Sequence, residues 1–171
     1  MRSFRKSLLV FFLGGVLGTG LGVAIGVFVF PFVFPPPPPA ERLTEADRSR
    51  LVANGTFIHA NPSDPLHWGR GKVSVYERTV LLEADFKVGR GPKYHVYLLP
   101  KAQVRGDADV KNATRVDLGR LRSFEGSQRY PLPENVRLDD IKSVVIWCEQ
   151  FSVLISPADL SRSGPQPGAT H

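Results

Sequence analysis

The sequence predicts an all-β protein: a single β-sandwich or barrel-like domain after an N-terminal transmembrane helix and a short juxtadomain helix. Three observations predict it. A basic tip leads into an uncharged apolar stretch that ends in prolines. Beyond Thr56 the pattern changes to short runs in which apolar and polar residues alternate. Turn-forming clusters such as "NPSDP", "GRGP", "SFEGSQ" and "LPEN" separate those runs, as in a sandwich or barrel.

The helix comes first. Arg2, Arg5 and Lys6 precede a segment whose apolar part, Leu8 to Phe30, is 23 residues long. That length spans a bilayer with some tilt. The basic residues flank it on the N-terminal side only, which puts Met1 in the cytoplasm and the chain beyond Pro31 outside. A cleaved signal peptide is the competing reading, but its apolar region is usually shorter and ends at small residues. Here the end reads "FVFPFVFPPPPP", so residues 1–34 are expected to be a cytoplasmic tip and an uncleaved signal-anchor. Gly14, Gly18, Gly22 and Gly26 form one small-residue stripe on a helix, where a second copy can approach closely. The alternative is that glycine is simply common in membrane segments.

Pro35 to Pro39 lie in a linker, residues 35–40, that reads as an extended polyproline spacer. The β domain is expected over residues 41–160. It opens with "LTEADRSRLVANG", where Thr44 can cap a short helix and Asn54-Gly55 can end it. "KVSVY" then places Val73 and Val75 on one face of a strand. "YHVYLL" places Tyr94, Val96 and Leu98 on one face and His95, Tyr97 and Leu99 on the other. "SVVIWC" is apolar on both faces, as a central strand is. Residues 161–171, "SRSGPQPGATH", read as a disordered tail.

Charge narrows the function classes. The net charge is +6, but three of the 22 basic residues sit in the first six positions, leaving 19 against 16 acidic residues from Ala40 onward. The domain is only mildly basic and its charges are interspersed, which argues against nucleic-acid binding. No serine, histidine and acid set and no carboxylate pair stands out, and no zinc-type cluster or haem-attachment motif is present. "RGD" at Arg105 to Asp107 is better accounted for by chance than as an integrin ligand, and the two glycosylation-type triplets at Asn54 and Asn112 matter only in a host that glycosylates.

The single cysteine, Cys148, closes "SVVIWC" just before the polar "EQ". In an exported domain a lone thiol stays free or pairs with another molecule. Two readings stand side by side. Buried among Val145, Ile146 and Trp147, it is a small hydrophobe. At the polar end of its strand, it is an exposed, reactive thiol. His67, in a loop beside Trp68, and His95, on a strand, are the candidate ligands for a cofactor; strand histidines are commonly structural.

Several stretches in order carry a family resemblance. "GP-x-x-HVYL" at 91–98, "G-x-Q-x-Y-x-LP" at 126–133 and "VVIWC-x-x-F-S-V" at 144–153 resemble the electron-transfer DM-thirteen domain, a small extracellular β domain found beside DOMON domains. The likeness covers roughly Ala53 to Leu160. It implies extracytoplasmic electron transfer through the cysteine corresponding to Cys148, as a bare thiol or as the holder of a group such as haem. His67 and His95 match the family's histidines. Lys93 and Tyr94 depart from its pattern, which more typically has an acidic residue followed by leucine.

The expected protein is thus a single-pass, membrane-anchored module whose domain faces the periplasm or the extracellular side. Its redox or electron-transfer role would run through Cys148, with His67 and His95 as helpers. It would act as an accessory to an unspecified redox partner rather than as a stand-alone enzyme. The cofactor would be haem or none, with copper the weaker choice. The alternative is a non-enzymatic surface binding or adhesion module.

Overall fold

Alternating apolar residues build one antiparallel sheet in the computed structural model, which describes residues 2–33, 39–44 and 50–163. The chain divides into two compact units, the first ending at Pro37 and the second starting at Pro38. The first unit contains helix α1, Arg2–Val33, of 32 residues. Its window Lys6–Val23 has a mean hydropathy of 1.7 and is not buried by the protein, so by length and composition it is able to cross a membrane. A signal sequence shares both properties. A Cβ built at Gly14, Gly18, Gly22 or Gly26 meets nothing within 4 Å, so the stripe is open.

In the second unit, eight strands form the main sheet: β1 (Leu51–Phe57), β3 (Lys72–Tyr76), β4 (Thr79–Leu82), β6 (Tyr94–Leu99), β7 (Val116–Arg120), β8 (Gln128–Pro131), β9 (Ser143–Cys148) and β10 (Val153–Arg162). Their spatial order is β7-β6-β9-β10-β1-β3-β4-β8. Two short strands, β2 (Gly69–Arg70) and β5 (Lys87–Val88), pair separately. A short helix α2 (Asp107–Lys111) and a 3₁₀ turn at Leu138–Asp140 complete the elements.

The sheet curls into a nearly closed barrel, and side chains tie the seam between its edge strands. Gln128, with no exposed surface, donates to Ser123 O at 2.8 Å and accepts from Arg122 N at 3.1 Å. The Tyr130 hydroxyl reaches Gln128 Oε1 at 3.0 Å, and the Arg122 guanidinium lies over the Tyr130 ring. These bonds satisfy the edge groups that a missing ladder leaves open.

Parity along the strands fixes two apolar clusters. Val73, Val75, Val96, Val144 and Ile146 pack in the larger one. Tyr97, Leu99, Val145, Trp147 and Leu154 point the other way, to a second cluster shared with Val110 of α2. This is why β9 is buried at all six positions, as a strand apolar on both faces requires.

Three expectations are corrected. The juxtadomain helix was expected over "LTEADRSRLVANG", but Leu51–Phe57 is strand β1. It is hydrogen-bonded on both sides, to β10 and β3, and those ladders outweigh the local Asn54-Gly55 stop signal. The part of that helix at residues 45–49, the prolines at 35–38 and the tail from residue 164 lie outside the described residues. Strand β10 runs to Arg162, so the first two residues assigned to the tail are sheet. Third, "RGDAD", whose glycine and aspartates read as a turn signal in the sequence, opens α2 instead: the Asp109 carboxylate accepts from Arg105 N at 2.9 Å and Gly106 N at 3.1 Å.

Candidate functional site

Strands β6 and β9 are antiparallel, and the first residue of one faces the last of the other: Tyr94 pairs with Cys148. On its other side Cys148 pairs with Val153 of β10. Cys148 therefore sits at a strand end, as the sequence suggests, yet it is only 1% exposed. The exposure expected from the polar "EQ" is absent because a loop folds over it. The thiol donates to the Pro92 carbonyl at 3.2 Å, and the Glu149 N–H donates to Lys93 O at 3.0 Å.

That loop, residues 89–93, packs tightly enough to require glycine. A Cβ at Gly91 would lie 2.2 Å from the Tyr94 hydroxyl, and one at Gly89 would lie 2.3 Å from Leu66 O. So Gly91 lets the phenol tuck beneath the loop, and Gly89 lets the loop meet the segment that carries His67. Lys93, at φ 48°, adopts the left-handed conformation that turns the chain back into β6.

The segment before β2 is organised by Asp64. Its carboxylate accepts from Leu66 N at 2.9 Å, His67 N at 3.2 Å and His67 Nδ1 at 2.6 Å. The His67 imidazole, followed by the Leu66 backbone, holds the Asp64 carboxyl well below the usual range, at about 2. A carboxylate only accepts, so Nδ1 of His67 carries the proton and Nε2 keeps its lone pair in the neutral ring. The His59 ring donates to Asp64 O at 2.7 Å, fixing the same turn. Asp64 and His67 line a cleft of about 260 Å³ together with Asn61, Arg105, Asp107 and Val153.

His95 is placed differently. Strand parity turns it away from Cys148, onto the face of Tyr97 and Trp147. Its Nδ1–H donates to Asp117 at 3.0 Å, and its ring centroid is 6.2 Å from that of Tyr97. The three residues singled out from sequence therefore do not converge. Cys148 points inward, His95 lies on the opposite face, and His67 lines a cleft whose lining does not include Cys148. No group of three His, Cys, Asp or Glu side chains suited to a metal ion occurs among the described residues. Nor does the arrangement fit a haem held through Cys148. The sulfur is turned to Pro92 at a buried strand end, and the cleft that holds His67 is not lined by it.

Asp64 is a neighbour of these candidates that sequence reasoning did not single out, while Pro92 and Tyr94 entered it only as parts of the "GP-x-x-HVYL" stretch. Asp64 was findable from its Asp-x-x-His spacing to His67. Tyr94 was legible only as an inward-facing strand residue. Burial, then the charges Cys148 and Asp64 carry when ionised, push its phenol up to about 12.

The family model described as "Electron transfer DM13" matches residues 62–160. The match spans β2 to β10 and includes Asp64, His67, Tyr94, His95 and Cys148. No curated protein and no solved structure matches the chain.

Proposed function

The chain belongs to the electron-transfer DM13 family, and from that premise we propose that it is a membrane-anchored redox module acting through Cys148. Helix α1 would be an uncleaved anchor, with the domain on the periplasmic or extracellular side. The basic residues Arg2, Arg5 and Lys6 on its N-terminal side support that orientation. The open stripe Gly14, Gly18, Gly22 and Gly26 would allow pairing of two anchors.

The observation that carries this reading is the local setting of the only cysteine. Cys148 ends a central strand and is covered by a loop that holds it through one thiol–carbonyl hydrogen bond. Opening residues 89–93 is a local event and leaves the barrel ladder intact. His95 would support the fold through Asp117, and His67 would act at the cleft. The test is thiol–disulfide exchange on the full chain in detergent, with glutathione disulfide as oxidant. Cys148 sulfur bonds to one glutathione sulfur, and the other glutathione leaves as a thiol. The native protein is expected to gain one glutathione by mass, and Cys148→Ser none. A thiol that reacts only after denaturation sinks the redox reading.

A second reading is favoured by a separate observation. Leu66 and Phe151 are 70% and 67% exposed, on the segments that precede His67 and follow Cys148. Exposed apolar residues of this size suit a binding or adhesion module. In that case Cys148 is a core residue, and a partner would be retained by Cys148→Ser.

A further inference from the structure

Strands β7 and β8 are the two ends of the sheet order, so no ladder joins them. Alternate residues of a strand turn their peptide groups to the same edge. On the open edge of β8 these are Arg129 and, just before the strand, Ser127. One residue that precedes all the strands covers both. The Glu41 N–H donates to Ser127 O at 3.3 Å, and the Glu41 carboxylate accepts from Arg129 N at 2.8 Å. The Ser127 hydroxyl donates back to Glu41 O at 2.5 Å, and Ala40 forms a parallel bridge with Ser127. Glu41 therefore stands where a neighbouring strand would be.

The other side of the seam grips the same carboxylate. Arg122, two residues beyond β7, donates to Glu41 Oε2 at 3.1 Å and lies 2.7 Å from Oε1, a two-pronged contact that suits a planar guanidinium. Arg122 also donates to Arg129 O on the same edge, and its guanidinium lies 5.0 Å from the Tyr130 ring centroid. Arg129 adds its own Nε at 3.9 Å from Oε2. A half-exposed ion pair by itself is worth little. Here the carboxylate also takes a backbone N–H and ties two strands that nothing else pairs.

We propose that the seam holds a carboxylate site, formed by Arg122, Arg129 and the edge of β8, with Glu41 as its built-in occupant, and that residues 40–41 are a strap whose lifting opens the barrel between β7 and β8 alone. The strap directly follows the proline run Pro35–Pro39, so a pull passed along the chain from its N-terminal side reaches the seam before any strand. Lifting it loosens the segment that supplies Leu121, Phe124 and Tyr130 to the larger apolar cluster. The ladders of β9 with β6 and β10 lie elsewhere in the sheet and stay closed. The inference stands on contacts away from Cys148 and holds whether or not that thiol reacts.

The experiment is amide hydrogen exchange read by mass spectrometry on the full chain in detergent. It compares wild type, E41A and E41Q, each in sodium chloride and in sodium acetate at equal concentration. E41A is expected to exchange about tenfold faster over residues 120–131, as loss of an acceptor for charged donors implies, with residues 143–158 unchanged. E41Q keeps an acceptor for Arg129 N but offers Arg122 no charge, and is expected to fall between wild type and E41A. Acetate supplies the missing carboxylate, so it is expected to restore seam protection in E41A and to leave wild type as it was. Seam exchange in E41A equal to wild type overturns the proposal. So does exchange raised equally over residues 143–158, because Glu41 would then support the whole barrel and not its seam. Acetate that protects E41A no better than chloride, or protects both proteins alike, overturns the carboxylate site. E41Q carries the same comparisons if E41A does not fold.

Discussion

Tyr94 and His95 are consecutive residues on one strand, and they face Cys148 and Trp147 across the same ladder. One residue of parity gives them opposite fates. Tyr94 points into the barrel, loses nearly all contact with water and sits beside the only thiol. His95 points outward, keeps a quarter of its side chain exposed and pairs with Asp117 across β7. His67 also has an aspartate partner, but its aspartate is built into a turn by two backbone N–H groups as well. A histidine–aspartate pair is thus not a single kind of object. On an open sheet face it is a surface ion pair, worth little; in an organised turn beside a cleft it fixes a tautomer and leaves a nitrogen free.

The largest effect that separates the two neighbours is on stability. Tyr94→Ala opens a cavity in the core and is expected to cost about 3–5 kcal/mol, whereas His95→Ala is expected to cost within about 1 kcal/mol. Urea unfolding of both variants measures the difference, and equal costs would contradict the inward and outward assignment. Next is the close packing of the loop on the phenol. Gly91→Ala forces a Cβ against the Tyr94 ring and hydroxyl and is expected to cost about 1–3 kcal/mol. Combining it with Tyr94→Leu should recover part of that loss, and strict additivity in the double-mutant cycle would show that the two do not touch.

The smallest effect is electrostatic. The Asp64 carboxyl is depressed to about 2 from its ordinary value of 3.8. A group depressed on folding contributes stability that is fully present above its unfolded value and is lost as pH falls through the folded one. The melting temperature of the wild type should therefore fall more steeply between pH 4 and pH 2 than that of Asp64→Asn. Parallel curves would mean that the His67 pair contributes nothing to folding.

Much of the fold was legible because its signals are local. Period-two alternation in "KVSVY" and "YHVYLL" assigned both faces correctly, and the double-sided apolar run "SVVIWC" became the central strand β9. The membrane-length helix was equally plain from twenty-odd uncharged residues. β1 was misread because its capping-like residues are a local signal, while its two ladder partners come from residues 72–76 and 158–162. The candidate site was harder. Cys148, His67 and His95 were each visible as chemistry-bearing residues, but their relation to one another was not.

Composition and periodicity by themselves settled an apolar N-terminal helix, an all-β domain and the parity of β3 and β6, since each depends on neighbours a few residues apart. Tertiary structure alone decided that the thiol at the polar end of its strand is buried. The same holds for Tyr94 becoming its companion and for His95 turning to the far face. Those outcomes depend on a loop at residues 89–93 folding back over β9 and on a register between strands about fifty residues apart. Contacts of that range are fixed by closure of the barrel, and nothing in the local pattern of either strand encodes them.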